Sequence, residues 1–245
     1  MKIRVGWVGA VLGIAAVGLA GVPKPKYGPE AMRLSLSHKY IQTHDAPDFW
    51  ALMPYYLPQQ NGASCSVASV AMLMNGVRVH DDLTADEELV TQPGLLKKVG
   101  DSAWTRDVSS GGHGVTLDEL GKFVEESLKA YGVRKYEVEV VHASDFSEKT
   151  KSRLHRALVE NERSSKDFIL INFIQGVYTG DADVGHIAPI GAYDQAHHRV
   201  LVLDPDREWY EPYWVSEETL LKGMATQDRQ AVQARGYVWV KILKR

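Results

Sequence analysis

The sequence predicts an α+β chain in which a mainly helical N-terminal half packs on an antiparallel sheet from the C-terminal half. Three observations carry this. Apolar residues recur at helical spacing in segments up to residue 162, and short apolar or alternating runs bounded by turn residues dominate from Phe168 onward. Two of those runs are joined by the polar stretch 194–199, a hairpin-length connection.

Element by element, the chain opens differently from the rest. Lys2 and Arg4 precede an uncharged run from Val5 to Val22, the layout of a secretory signal peptide, with Gly18 and Ala20 as the small residues that place cleavage after Ala20. The alternative is an uncleaved anchor, close to the lower length limit of a spanning helix and rich in glycine. Either reading puts the folded part outside the cytoplasm: periplasmic or secreted, or attached to the membrane through residues 1–22. Pro23, Pro25, Gly28 and Pro29 mark an extended linker over 23–30, and the folded domain is expected over 31–245. Cys65 to Asn75 lacks Gly and Pro and carries apolar residues at Val67, Val70, Ala71 and Met74, which predicts a short buried helix stopped by Gly76. Leu117, Leu120, Phe123, Val124, Leu128 and Tyr131 predict a second helix, with Thr116 as its N-cap and Gly132 closing it. Lys151 to Glu162 reads as a third. Ser216, followed by Glu217 and Glu218, starts a fourth, because a hydroxyl and first-turn acids suit the exposed amides. Strands are expected at Phe168–Ile174, His186–Tyr193, Val200–Asp204 and Tyr237–Leu243.

Composition narrows the function classes. With 44% hydrophobic and 24% charged residues in 245, the chain can bury one sizeable core and is neither disordered, collagen-like nor a multi-span membrane protein. A net charge of −3 gives no electrostatic case for nucleic acid. A single cysteine excludes an intrachain disulfide and a Cys-based zinc finger, so Cys65 acts, if at all, as a free thiol.

A thiol in the first turn of a helix sits beside unpaired amides and the positive end of the macrodipole, which favours thiolate and makes a nucleophile. The 194–199 hairpin supplies its partners. His186, at the start of one strand, and Asp204, at the end of the next, fall at the same sheet edge; simple antiparallel pairing sets Asp204 opposite Pro189, about 10 Å along from His186. A histidine oriented by a carboxylate can take the thiol proton and later protonate a leaving amine. Gln59, six residues before Cys65, can return its amide to the helix start as an oxyanion donor beside the Cys65 backbone amide.

These residues lie in three blocks: QQNGASCSVASVAMLMN over Gln59–Asn75, GHIAPIGAY over Gly185–Tyr193, and LDPDREWYEPYWV over Leu203–Val215. Together with Asp228 and the run Arg235-Gly236-Tyr237-Val238, they make the chain from about residue 49 onward resemble the catalytic domain of phytochelatin synthase, in particular its short prokaryotic form. The resemblance implies a papain-like cysteine protease fold, with Cys65 as nucleophile, His186 as general base and acid, Asp204 as orienter and Gln59 in the oxyanion hole. It implies that Asp228 and Arg235 bind the γ-glutamyl end of glutathione. The substrates implied are glutathione and its conjugates, with cleavage of the Cys-Gly bond through a γ-Glu-Cys acyl-enzyme. No cofactor is required, cadmium or zinc entering as a metal–glutathione thiolate substrate, and a homodimer is left open.

The chain departs from the family pattern beside the nucleophile. Gly62 stands for Gln, Ser64 for an aromatic residue and Ser66 for Gly, and the Cys-rich C-terminal region of the eukaryotic enzymes is absent, which implies a bias toward hydrolysis over polymerisation. Two other classes share the core residues: a papain-like leader peptidase, and a non-enzymatic thiol- or metal-binding module using Cys65 and His186. Elsewhere, His197 and His198 read as a solvated turn. Asp181 and Asp183 could clasp a divalent ion with His186, but the same loop must present His186 to Cys65. His113 reads as an exposed loop residue near the cleft.

Overall fold

A computed structural model of the chain describes residues 25–79, 81–181 and 183–243. The leader, whether signal peptide or anchor, lies outside the described residues, among which no helix is long and apolar enough to cross a membrane. The helices are α1 (Lys39–Thr43), α2 (Pro47–Leu52), α3 (Cys65–Val77), α4 (Gln92–Val99), α5 (Ser102–Asp107), α6 (Leu117–Ala130), α7 (Glu148–Asn161), α8 (Gln175–Thr179) and α9 (Glu217–Met224). The strands are β1 (Ala31–Arg33), β2 (Tyr136–His142), β3 (Asp167–Ile174), β4 (Gly185–Asp194), β5 (Arg199–Val202), β6 (Tyr213–Ser216), β7 (Gln227–Asp228), β8 (Gln233–Ala234) and β9 (Gly236–Ile242).

Seven strands form one antiparallel sheet in the order β1-β6-β5-β4-β3-β9-β2, and β7 pairs with β8 in a separate ribbon. The chain is α+β, and its sheet is covered on both faces. Phe168, Leu170, Ile187, Leu201, Val238 and Val240 point to one side, where they pack with α2 to α6; Ile169, Ile171, Ala188, Val202, Tyr237 and Trp239 point to the other, against α7 to α9. This alternation is the two-residue period of a pleated strand, and it explains why β3 is apolar without a break: both of its faces meet a core. Helix and strand are less segregated than the sequence suggests. The helix-rich region before residue 162 contributes two edge strands, β1 and β2, which are too short or too charged on one side to stand out as apolar runs.

Local chemistry accounts for the helix limits. Thr116 and Glu119 form a reciprocal capping box at the start of α6, and Gly132 follows its end at φ 76°, where a side chain would be strained. Ser147 caps α7, so that helix begins three residues earlier than its apolar pattern indicates, and Ser216 caps α9 as expected. Gly76 does not stop α3, which runs on to Val77. Its role is close approach, because a Cβ there would lie 2.8 Å from Leu52 Cδ2. Every residue of α3 is buried. A helix apolar or small all round belongs in the middle of a core, and α3 lies there against β4.

One polar patch in the first core titrates. Glu162 accepts hydrogen bonds from Tyr40 Oη and the Tyr193 amide, and burial pushes its carboxyl up from 4.5 to about 7. Burial, with Asp167 and Glu162 nearby, holds Asp48 well above the usual carboxylate range as well. A raised acid is protonated in the folded chain while the unfolded chain already ionises. Its stabilising contribution is therefore complete below about 4.5 and is lost as pH rises through about 7. In Glu162→Gln, the difference in urea stability between about pH 5 and about pH 8 should narrow by on the order of 1–3 kcal/mol. An unchanged difference would show that Glu162 titrates normally.

Candidate active site

Cys65 is the first residue of α3, and the loop before it is tied to itself. Ser64, at the N-cap, makes no side-chain cap; its Oγ instead accepts from the Gln60 and Asn61 amides and donates to the Asn61 carbonyl. The Asn61 side chain accepts from the Ala63 amide and donates to the Val108 carbonyl. The first-turn amides of α3 are thus left uncapped by Ser64, beside Cys65, where a developing oxyanion would use them. Gln59 is held beside Asp204, its backbone amide donating to the Pro205 carbonyl at 2.8 Å, and its Oε1 is buried without a protein partner.

The hairpin does not follow simple pairing. Asp194 pairs with Arg199 and Ala192 with Leu201, but Ile190 pairs with Val202, so Gly191 is an extra residue in β4. This bulge advances the register by one. The Leu203 amide donates to the Pro189 carbonyl, and Asp204 comes opposite Ala188 rather than Pro189. The shift changes the face as well as the distance: Ala188 and His186 point to the same side of β4, whereas Pro189 points to the other. Only glycine fits at the bulge, since a Cβ on Gly191 would sit 2.8 Å from Leu203 Cγ. The expected strand end at Asp204 is also corrected, because β5 ends at Val202 and Asp204 begins the following loop.

Asp204 Oδ1 lies 2.7 Å from His186 Nε2 and accepts the Asp206 amide at 2.9 Å. Oδ2 accepts from Tyr213 Oη at 2.8 Å and Gln175 Nε2 at 3.2 Å, while Tyr56 Oη donates to the Asp204 carbonyl. With Nε2 occupied by Asp204, Nδ1 is the nitrogen left for Cys65, whose thiol interacts with the ring. Burial alone would pull the imidazole down. The Asp204 charge and hydrogen bond, with Cys65, outweigh it and hold His186 well above its usual range. Burial would likewise raise Asp204, yet the imidazolium charge and the Asp206 and Tyr213 donors keep it below the ordinary carboxylate value. The result is a buried imidazole–carboxylate pair beside the Cys65 sulfur.

Position along α3 is set one turn further in. Ser69, four residues after Cys65 and on the same face, donates to the Ile187 carbonyl at 3.1 Å, which fixes the helix against the neighbour of His186.

Cys65 and His186 open on a cavity of about 560 Å³, within the range of small-molecule sites. Asp228 and Arg235 line the same cavity, both more than nine-tenths buried. The Arg235 guanidinium donates to the Gln227 carbonyl at 2.6 Å, lies 3.7 Å from Asp228 Oδ2, and has a buried Nε without a protein partner. Gln59 is not among the residues that line it. Asn172, Gln175 and Tyr213 are functional candidates that the sequence reading missed: Asn172 is a buried polar residue on the cavity wall, and the other two complete the shell of Asp204. Only the midpoint of an apolar run signals Asn172. His113 is exposed, on a loop lining the cavity, and Gln230 Nε2 donates to its carbonyl. Asp181 accepts from Tyr210 Oη and His186 is taken by Asp204, so these do not converge with Asp183 on an ion.

A buried thiol, an imidazole held by a carboxylate, and uncapped helix amides define a site suited to nucleophilic acyl transfer. The chain belongs to the phytochelatin synthase family, whose profile matches residues 26–237. Among curated relatives, "Glutathione gamma-glutamylcysteinyltransferase" of Schizosaccharomyces pombe is 26% identical over 211 residues, covering 81% of this chain and 44% of the relative. "Glutathione gamma-glutamylcysteinyltransferase 3" of Lotus japonicus is 27% identical over 204 residues, covering 80% and 38%. "Glutathione gamma-glutamylcysteinyltransferase 1" of Arabidopsis thaliana is 23% identical, covering 82% and 38%. The chain spans about two fifths of the length of these relatives.

The imidazole titration reports the pair directly. In Asp204→Asn the His186 pKa, followed by NMR of the ring protons, should fall by about one to three pH units. An identical titration in both proteins would remove Asp204 as the cause.

Proposed function

We propose that this chain cleaves the Cys-Gly bond of glutathione through a thioester on Cys65, on a papain-like arrangement in which a nucleophile helix packs against an antiparallel sheet carrying His186 and Asp204. The observation that carries the reading is the shared cavity: Cys65 and His186 on one side, Asp228 and Arg235 on another. A γ-glutamyl group ends in an α-ammonium and an α-carboxylate. Asp228 suits the first and the Arg235 guanidinium the second.

The geometry supports the following steps. Cys65 Sγ attacks the cysteinyl carbonyl carbon, and the oxyanion is stabilised by the Cys65 amide with Gln59. His186 holds the thiol proton and delivers it to the glycine nitrogen as the C–N bond breaks. Water, or the α-amine of a second glutathione, then gives its proton to His186 and attacks the thioester, releasing γ-Glu-Cys or the longer peptide and restoring the thiol. No protein-bound metal takes part; cadmium or zinc acts through the acceptor as a glutathione thiolate. The basic-then-apolar order of residues 2–22 supports a location outside the cytoplasm.

Support for a small zwitterionic substrate over a peptide comes from the burial of Asp228 and Arg235, a recognition pair that an extended leader peptide would not require. Incubation with glutathione should release glycine and γ-Glu-Cys without added metal, and intact mass should show a transient adduct of γ-Glu-Cys less one water. Cys65→Ala should lower the rate by at least about a thousandfold. Arg235→Gln should raise KM for glutathione. Unchanged turnover in Arg235→Gln would favour the peptidase, and strict dependence of glycine release on cadmium would overturn the metal-free first step.

A further inference from the structure

At the far end of β4 from His186, roughly 23 Å along the strand, three elements bring nitrogen and oxygen donors together. His155 comes from α7, Glu217 from the first position of α9, and His198 from the turn between β4 and β5. The donor atoms of these three residues all lie within 4.8 Å of one another. Glu217 Oε2 is 3.2 Å from His155 Nδ1 and 3.7 Å from His198 Nδ1. Tyr193 Oη, from the penultimate residue of β4, lies 2.8 Å from Glu217 Oε2, 3.1 Å from His155 Nδ1 and 3.5 Å from His198 Nδ1. Four donors held about 2.0–2.1 Å from a tetrahedral zinc ion are separated by about 3.3–3.4 Å. The measured edges scatter around that value.

The backbone holds the set in place. The Glu217 amide donates to the His198 carbonyl at 2.8 Å, which locks two of the ligands to each other. His198 takes φ 48°, a left-handed conformation that turns its imidazole toward α7 and α9 instead of along the strand. Its neighbour His197 is excluded, its Nδ1 lying 2.8 Å from Asp194 Oδ2. With each imidazole protonated at Nε2, four lone pairs converge, and the Tyr193 hydroxyl contributes one proton among them. A divalent cation that displaces the shared Tyr193 proton to solvent satisfies all four.

We propose that His155, His198, Glu217 and Tyr193 form a second site, a zinc-type divalent cation clip that joins α7, the hairpin turn and α9 and is separate from the catalytic cavity. Two imidazoles with a carboxylate and a phenol oxygen suit zinc or cobalt better than magnesium or calcium, which take oxygen alone. A closed set of four protein donors makes the site structural.

The test uses cobalt(II) as an optical probe with the full chain. One equivalent should give the visible bands of tetrahedral cobalt without a thiolate charge-transfer band, and Cys65→Ala should bind equally. His198→Asn, an exposed position whose conformation Asn tolerates, should weaken cobalt and zinc by at least about a hundredfold. It should also abolish the rise in Tm that zinc gives the parent chain, while glutathione cleavage stays at the parent rate. His155→Gln, from a different element, should match it. Equal binding by His198→Asn and the parent, or a cobalt spectrum that disappears in Cys65→Ala, would overturn the site.

Discussion

A carboxylate with no solvent access dominates the design of this chain. Asp204 is fully buried, and an isolated charge in that position would be neutralised or would unfold its surroundings. It remains ionised because four separate parts of the fold supply donors: His186 from β4, Tyr213 from β6, Gln175 from the start of α8, and the Asp206 amide from its own loop. Each donor must arrive in the right place for the others to be worth having, so the acid couples strands, helix and loop into one geometry. Of these four, only His186 also lines the cavity.

The remaining problem is to bring a thiol from the opposite face of the sheet to that imidazole. His186 shares its face with the second core, packing edge-on against Phe173, while Cys65 belongs to the first. They can meet only at the sheet edge, where the pleat ends. Small residues make that edge passable. Gly185 leaves room for the Arg235 guanidinium, which a Cβ would approach to 3.2 Å, and Gly236 lies so close to the Val141 carbonyl that no side chain fits. The Arg235 guanidinium, the imidazole and the thiol converge on one cavity, with Gly185 and Gly236 clearing the ends of β4 and β9 and Ser69 setting the depth of α3.

Much of this was legible in the sequence, and what was not has identifiable causes. Long amphipathic segments with hydroxyl caps, such as the helices after Thr116 and Ser216, announce themselves because the cap and the period agree. Cys65, His186 and Asp204 were legible because their order and flanking blocks matched a family and because a hairpin brings two of them to one edge. The bulge was not legible. A glycine within an apolar strand is compatible with regular pairing, and only the contact with Leu203 reveals that Gly191 is extra; without it the acid falls on the wrong face. Short helices such as α1, α2 and α8 carry less than two turns of pattern, and β2 alternates with charged residues, so tertiary packing decides them. Convergence of His155, His198 and Glu217 joins residues 43 and 19 positions apart, a distance that no local pattern spans.

The departures beside Cys65 show how local chemistry is rebalanced when a family pattern changes. Ser66, where the pattern has glycine, accepts on its hydroxyl oxygen the indole N–H of Trp104, a fully buried ring stacked on Phe123 that would otherwise carry an orphaned donor. Ser64, in place of an aromatic residue, uses its hydroxyl to gather the 60 and 61 amides, work that an aromatic side chain cannot do. Gly62, in place of glutamine, faces open space with nothing within 4 Å of where a Cβ would be, and it lines the cavity. The first two changes stiffen the support of Cys65, and the third removes a polar side chain from the rim. Together they hold Cys65 in place and leave open space in front of it.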